Sequence, residues 1–354
     1  MSVHYQLRLQ KLRAQLKEKE GILVSDPKNA FYFSGITSSN IHLYITKDKA
    51  YLLTDFRYQQ AAEANEAGFL VLSEGSLVSK LKEVITEDTV YIEQQYLTVH
   101  FYKMLLDHFP HTEFPNVKSM IMDLRLIKDE EELSIMKKAQ SISDMAYSEM
   151  LSFVKEGVSE LELRAELDYR MLRYGAQKPS FDTIVLFGPH AALPHGEPKG
   201  RTLAKGDMML FDFGCLYEGY CSDVTRTVFF GEPSQKARHA YETVLTAHYM
   251  ARDMIAVGKA CADADKVARD YIEKQGYPGA FGHSLGHGVG VKVHEHPTLG
   301  QSSTEIFQNG MVFSVEPGIY LPHEFGIRIE DTYYLENDTL HSTTTLDKTL
   351  QILS

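Results

Sequence analysis

The alternation of hydrophobic and polar positions changes rhythm partway along the chain. In the first third, short apolar runs alternate with helical spacings. Leu7, Leu9, Leu12 and Leu16 recur at roughly helical intervals among Lys, Arg, Gln and Glu, so "MSVHYQLRLQKLRAQLKEKE" reads as an amphipathic helix packed on its own domain. "GILVSD" (21–26) is a short strand ended by Asp26-Pro27, and "HLYITKDKAYLLTD" (42–55) is a hairpin turning at Lys47-Asp48. "YQQAAEANEAG" (58–68) reads as a helix stopped by Gly68. "FLVLSE" and "TVYIEQQ" (89–95) read as further strands. Strands alternating with helices predict an α/β layer.

Between 115 and 135 the character shifts. Pro115 is followed by an extended piece and then a long helix, with Asp129 as its cap and Glu130, Glu131 and Glu132 suited to its first turn. The domain boundary is therefore placed at 124, giving domains 1–124 and 125–354. A second helix starts at the cap Ser159, with Glu162 three residues on, and stops at Gly175. From 181 onward short apolar strands dominate, interrupted by one helical stretch over 234–275. The expected class is α/β (α+β).

Composition narrows the picture. A chain of 354 residues fits two domains, one of them large, and 44% hydrophobic with 24% charged residues is ordinary for a globular protein. A net charge of −12 argues against nucleic acid or an anionic membrane as the main partner. No apolar run approaches the ~18 residues that span a bilayer, and the start does not read as a signal peptide. Cys215, Cys221 and Cys261 make an odd count without a C-x-x-C, which reads as reduced thiols in a cytoplasm. Cys215 and Cys221 could meet across a hairpin, but buried filler is the preferred reading.

The chemistry lies in three stretches. "DMMLFDFGCLYEGYCSDVTRTVFFG" (207–231) reads as two strands about a turn near Leu216–Tyr220. A hairpin there can set Asp212 opposite Asp223 on one face. A carboxylate inside "LFDFG" is costly to bury without a cation; pairing with Arg226, or placement in turns, is the plain structural alternative. "GMVFSVEPGIYLPHEFGIRIEDTYYLE" (310–336) repeats the logic. Glu316 ends one strand and Glu330 lies on a second, inward by alternation with Ile327 and Ile329, unless it is exposed or merely paired with Arg328. "GHSLGHGVGVKVHEHP" (282–297) adds His283, His287, His294 and His296. The four-residue spacing of His283 and His287 suits a metal-binding helix, but Gly282, Gly286, Gly288 and Gly290 argue against a helix, and 289–294 reads as a strand. Four carboxylates and an imidazole suffice for two divalent ions. Oxygen-rich ligation suits Mn²⁺, Co²⁺ or Fe²⁺ at least as well as Zn²⁺.

Asp212, Asp223, His287, Glu316 and Glu330, in that order and within "FDFG…GYCSDVTRT", "GHSLGHGVG…VHE", "VFSVEPGIY" and "GIRIED", resemble the pita-bread metallopeptidases. The motifs are similar to the Xaa-Pro branch, prolidase (Xaa-Pro dipeptidase) and aminopeptidase P. "LLTDFRY" (52–58) resembles the accessory domain of that branch. The resemblance implies a C-terminal pita-bread domain that binds two metal ions, Mn²⁺ being favoured. Asp212 would chelate one ion, His287 and Glu316 the other, and Asp223 and Glu330 would bridge them. A metal-bridging hydroxide would attack the carbonyl before proline, with Glu316 as proton shuttle. His195, His294 and His283 would face the substrate, and Arg328 would orient a ligand carboxylate. The resemblance further implies short proline-containing peptides as substrates, with a dipeptide favoured over the longer peptides of aminopeptidase P, and a homodimer. A methionine aminopeptidase would not need the N-terminal domain. A metal-free binding protein, or creatinase-like chemistry, is disfavoured by the complete ligand set. His190 stands where Asn is more usual and Lys292 where an acidic residue is common. His296 has no family role and is assigned to the rim.

Overall fold

The computed structural model describes residues 2–65, 67–117 and 119–354. The chain divides into two compact units, Met1–Arg125 and Leu126–Ser354. The first contains α1 (Ser2–Arg13), β1 (Glu20–Val24), α2 (Pro27–Ser34), β2 (His42–Thr46), β3 (Ala50–Leu53), α3 (Gln59–Glu63), β4 (Leu70–Leu72), α4 (Leu77–Val84), β5 (Thr89–Ile92) and α5 (Val99–His108), and α6 (Met120–Leu126) ends at the division. Its sheet runs β4-β3-β2-β1-β5. The β2–β3 hairpin is antiparallel, whereas β5 joins β1 and β4 joins β3 in parallel.

Three elements here differ from the sequence pattern. Helix α1 stops at Arg13; Leu9, Leu12 and Leu16 are buried but Leu7 is exposed. The helix expected over 58–68 is only Gln59–Glu63, and position 66 lies outside the described residues. Asn65 explains the early stop: its side chain donates to Ser34 O at 2.5 Å and accepts from Ala67 N at 2.9 Å. Such local bonds compete with helix continuation. The piece after Pro115, expected to be extended, contains helix α6. There Ser119 bonds Asp123 across one turn at 2.7 Å, and Ile121 and Arg125 are buried; position 118 lies outside the described residues.

The second unit opens with α7 (Glu130–Met150) and α8 (Glu160–Arg173). Both begin in a capping box, Asp129 with Glu132 and Ser159 with Glu162, in which each side chain bonds the other residue's backbone N–H. The helical stretch 234–275 is two helices, α9 (Gln235–Met254) and α10 (Cys261–Lys274). Gly258, at φ +84°, lies in the break between them. The strands are β6 (Lys178–Pro179), β7 (Ile184–Phe187), β8 (Met208–Phe213), β9 (Cys215–Tyr217), β10 (Tyr220–Cys221), β11 (Val224–Phe230), β12 (Gly286–Gly288), β13 (Glu295–Leu299), β14 (Val312–Val315), β15 (Gly318–Leu321), β16 (Phe325–Arg328), β17 (Asp331–Glu336), β18 (Thr339–Ser342) and β19 (Ile352–Leu353).

Two sheets dominate, in the orders β19-β11-β8-β7 and β13-β12-β14-β17-β18. One isolated antiparallel bridge, Thr225 with Glu330, joins them. Around it Glu330 N donates to Thr225 O at 3.1 Å, Thr227 Oγ1 to Arg328 O at 2.9 Å and Thr332 Oγ1 to Asp223 O at 2.8 Å. Hydrophobic cores lie on the helix-covered sides. One gathers Val244, Ala247, Ala264 and Ala268 with Phe313, Ile327 and Ile329. The other packs Ile142, Leu163 and Leu167 on Phe211, Phe213 and Val228.

A buried polar system backs the join. The Arg226 guanidinium pairs with Asp331 at 2.8 Å and also donates to the carbonyls of Thr225, Glu330, Leu346 and Asp347. Lys348 also pairs with Asp331. Burial alone would raise the Asp331 carboxyl, but Arg226, His248 and Lys348 hold it down at about 2. Asp144 accepts from Thr344 Oγ1 at 2.8 Å and Thr345 N at 2.7 Å, and β19 pairs in parallel with β11. The residues after β18 are thus tied into the sheet that carries the join.

Gly214, just after β8, has no room for a side chain: a Cβ there would fall 1.9 Å from Ser222 O and 2.6 Å from Ser180 Oγ. Gly214→Ala should cost about 2 kcal/mol or more in urea unfolding, because backbone must move. Gly200→Ala, whose Cβ would meet nothing within 4 Å, should stay within about 0.5 kcal/mol. Equal midpoints for the two variants would refute the close approach.

Candidate metal centre and substrate cavity

A cavity of about 780 Å³ opens where the two sheets meet. His195, Asp212, Asp223, His283, His287, His294, Glu316, Arg328 and Glu330 all line it. The chain brings them there by several local devices. Asp212 sits on β8, between Ile184 of β7 and Thr225 of β11 in the register. Asp223 is therefore not directly opposite Asp212, as the hairpin pattern suggested. The β9–β10 excursion shifts the pairing, so Asp223 stands at the head of β11 and Thr225 faces Asp212.

His287 lies in the middle of β12, while 289–294, expected as a strand, is a bend. The bend is fixed by backbone bonds: Val289 N to Val312 O, Gly290 N to Lys292 O and Cys221 N to Gly290 O. Glycine makes β12 possible. A Cβ at Gly286 would lie 2.0 Å from Ser314 O, and one at Gly288 would lie 2.0 Å from His296 O. Glu316 follows β14. The strand read through Glu330 is interrupted: β16 ends at Arg328, β17 starts at Asp331, and Glu330 makes the bridge to Thr225. The local alternation holds, with Ile327 and Ile329 in the core and Arg328 and Glu330 on the cavity.

The hydrogen bonds set orientation and protonation. Arg328 Nη2 donates to Asp212 Oδ2 at 2.5 Å, Nη1 to Tyr320 OH at 2.7 Å and to Pro194 O at 3.3 Å, and Nε to Thr225 Oγ1 at 3.1 Å. Thr225 Oγ1 in turn donates to Glu330 Oε2 at 2.7 Å. His287 Nδ1 lies 3.1 Å from Gly288 O, an acceptor, so Nδ1 carries the proton. Its Nε2 is left toward Glu316 Oε1 at 3.2 Å and Asp223 Oδ2 at 3.6 Å. That orientation suits a metal ligand whose other nitrogen is fixed by the backbone. His283 has both nitrogens engaged, Nδ1 at 2.8 Å from Ser284 O and Nε2 at 2.9 Å from Tyr320 OH. The His294 ring stands edge-on to His287, with centroids 4.2 Å apart.

Burial first, then Glu330, Asp212 and Glu316 nearby, push the Asp223 carboxyl well above the ordinary range. Burial, Glu316 and Asp212 do the same to Glu330. Asp212 is raised by burial against the pull of Arg328. Glu316, though buried, is held at about 2 by His287, His283 and Arg328. Burial lowers His283 and His294.

Such a set asks for added positive charge. Asp212 Oδ1 and Glu330 Oε1 are buried with no hydrogen-bond partner among the described residues. Ligand atoms of Asp223, His287 and Glu330 lie within 4.8 Å of one another. Orphaned carboxylate oxygens beside an imidazole lone pair fit divalent metal with mixed O and N donors.

Other residues singled out in the sequence lie elsewhere. His190 Nδ1 pairs with buried Glu160 at 2.9 Å, and half-exposed His296 pairs with Glu305 at 2.8 Å. Neither lines the cavity, nor does Lys292. Sequence reasoning missed Tyr320 and Thr225 as orienting groups. Their signals were present in "EPGIY" and "DVTRT", where each falls within a few residues of a site acid.

Family comparison places this geometry. The Metallopeptidase family M24 model matches residues 134–337, and the Creatinase/Prolidase N-terminal domain matches 8–127. The chain belongs to metallopeptidase family M24: it is a peptidase, and its C-terminal unit has the pita-bread fold of its prolidase branch. It is similar to the "Uncharacterized peptidase YqhT" of Bacillus subtilis, with 37% identity covering 98% of this chain and 100% of the relative. Among solved structures it resembles the Xaa-Pro dipeptidase from Bacillus anthracis (36% identity, TM-score 0.94, covering 99% and 100% of the two chains). The X-Pro aminopeptidase from Thermotoga maritima is also similar (34%, 0.88, 94% and 97%).

The raised carboxyls carry a signed consequence. In the metal-free protein Asp223 and Glu330 keep protons that the unfolded chain releases at about pH 4, so stability should fall as pH rises from there through their raised range. A divalent ion should reverse that trend and release protons on binding. Mn²⁺ at 100 times its Kd should stabilise the chelator-stripped protein by about 2.7 kcal/mol. Asp223→Asn should lose most of the gain. A full Mn²⁺-induced Tm shift in that variant would remove Asp223 from the centre.

Proposed function

We propose that the chain is an Xaa-Pro dipeptidase, hydrolysing the bond between an N-terminal residue and a following proline. The observation that carries this is the cavity lined by the orphaned Asp212 and Glu330 oxygens, in which ligand atoms of Asp223, His287 and Glu330 converge, in a chain similar along its length to a solved Xaa-Pro dipeptidase. Asp212, Asp223, His287, Glu316 and Glu330 would hold two divalent ions, with Mn²⁺ favoured and Co²⁺, Fe²⁺ or Zn²⁺ as alternatives. When bound, such ions supply Lewis acidity that activates water and polarises the scissile carbonyl.

The chain's own groups do the rest. Glu316 lines the cavity with its carboxylate beside His287, so it can take a proton from the attacking water and deliver it to the departing proline nitrogen. That nitrogen belongs to a tertiary amide and leaves readily only once protonated. His294, kept neutral by burial, offers one N–H to the substrate. His195 faces the same cavity from the 188–199 segment. His283 acts through Tyr320, fixing its hydroxyl between the imidazole and Arg328. Arg328 fixes the carboxylate of Asp212.

The partners that accompany this reading are short proline-containing peptides and a second copy of the chain, in a cytoplasm, with neither nucleic acid nor membrane. Cys215, Cys221 and Cys261 are buried, and reduced thiols there suit a reducing compartment. Among the described residues no helix is long and apolar enough to cross a membrane. Aminopeptidase P chemistry is the second reading, supported by the likeness to the T. maritima enzyme.

On Mn²⁺-loaded protein, Ala-Pro should be cleaved, Ala-Pro-Ala cleaved poorly and Met-Ala-Ala not at all. Preference for the tripeptide would select aminopeptidase P, and cleavage only after Met would overturn the Xaa-Pro reading. His294→Ala should lower kcat by about 10²- to 10⁴-fold with Mn²⁺ affinity unchanged in calorimetry. A loss of affinity instead would make His294 a ligand.

A further inference from the structure

The imidazoles of the cavity are held in different ways. His283 has both ring nitrogens bonded, and His294 stands against the His287 ring. His195 is exposed on the cavity and, among the described residues, its ring has no hydrogen-bond partner. Its position is therefore set by the backbone that carries it.

That backbone is two turns in series. Gly188–Ala192 form a short 3₁₀ turn, and Leu193 N donates to His190 O at 3.2 Å. Gly196 N then donates to Leu193 O at 3.0 Å, which makes Leu193-Pro194-His195-Gly196 a β-turn with proline at its favoured second position. His190 thus stands at the root of the turn that presents His195.

One side chain ties this segment down. Glu160, the first residue of α8, is fully buried. Its Oε1 accepts from Phe187 N at 2.9 Å and its Oε2 from Lys199 N at 2.8 Å. His190 Nδ1 lies between the two oxygens, 2.9 Å from each. Both are carboxylate oxygens, so Nδ1 carries the proton. The two amides are the ends of the 187–199 segment, and His190 bonds the same carboxylate from within it. A carboxylate so deeply buried is costly unless its oxygens are bonded, and removing one partner leaves polar groups unsatisfied. Glu160 is itself rooted. Ser159 caps the helix, Glu160 N donates to Arg201 O at 3.1 Å, and Leu163 and Leu167 hold α8 in the core.

We propose that Glu160 and His190 are positioning residues for His195, clasping the 187–199 segment so that the imidazole meets the substrate. This rests on the Xaa-Pro reading, in which His195 faces the substrate, and adds two residues that lie outside the cavity lining. Replacing fully buried Glu160 endangers folding, so the test is made at His190, whose side chain is 17% exposed. His190→Ala removes the N–H. His190→Asn restores one at the same branch point, because Asn Nδ2 and His Nδ1 are both bonded to Cγ.

On manganese-loaded full chain, His190→Ala should lower kcat on Ala-Pro by about 10- to 100-fold, the cost of a misplaced contact. Mn²⁺ affinity in calorimetry should be unchanged. Although Pro194 O accepts from Arg328, that guanidinium keeps Asp212, Tyr320 and Thr225. His190→Asn should recover most of the lost kcat. In a His195→Ala background, His190→Ala should cost less than about twofold more, because the two act as one unit. Full additivity, no rescue by Asn, or Mn²⁺ affinity falling along with kcat would overturn the proposal. Hydrogen exchange separates it from the peptidase reading. His190→Ala should speed exchange over 187–199 and leave α9 and β14 unchanged. If wild type cleaves no peptide but that local loss appears, the clasp stands while the Xaa-Pro reading falls. Unchanged exchange over 187–199 sinks the clasp whatever is cleaved.

Discussion

The second unit depends on how β11 meets the segment from Arg328 to Thr332. Among the described residues a single ladder bridge, Thr225 with Glu330, joins the two sheets there, and threonine hydroxyls on both sides extend the contact. This short join decides which carboxylates can meet. Asp212 and Asp223 come from one sheet and its edge, His287 and Glu316 from the other, and Glu330 from the bridge itself. A shift of one residue along the join would exchange Glu330 with its core-facing neighbours, because side chains alternate along extended backbone. Register at the join therefore sets the donor set.

Charge compensation divides two consecutive acids. Asp331 faces Arg226, Lys348 and His248 and is held fully ionised, whereas Glu330 faces other acids and is pushed the opposite way. One is a structural anion with its counter-ions built in. The other is an anion in waiting: Thr225 bonds one of its oxygens, and the second is left for what enters the cavity. Arg328 bonds Asp212 directly, whereas Asp223 and Glu330 feel its charge only at a distance, too weakly to offset burial and the neighbouring acids. The protein stores electrostatic strain where a cation would relieve it, and spends its arginines on the scaffold around it.

Much of this was legible in the sequence because the chemistry is carried by short motifs with strong local grammar. All nine residues proposed for the cavity line it, and the capping boxes at Asp129 and Ser159 start their helices as the pattern predicts. What was less legible depends on contacts distant in sequence. The offset between Asp212 and Asp223 follows from the β9–β10 excursion, which hydrophobic alternation does not encode. The bend at 289–294 overrides an alternating valine pattern because Gly290 is bonded to Cys221, far upstream. Helix α3 stops early because Asn65 finds Ser34 O.

The anchoring of the last strand has a consequence for the order of assembly. Arg226 needs the carbonyls of Leu346 and Asp347, Asp331 needs Lys348, Asp144 needs Thr344 and Thr345, and β11 gains β19 at residues 352–353. During synthesis the stretch with Asp212 and Asp223 emerges well before these partners. A growing chain therefore passes through a long interval in which its acids exist but their foundation does not. A finished centre would have to wait until residues 344–353 have emerged and folded back on β11 and Asp144, so the choice of ion would fall to the folded chain and not to the nascent peptide.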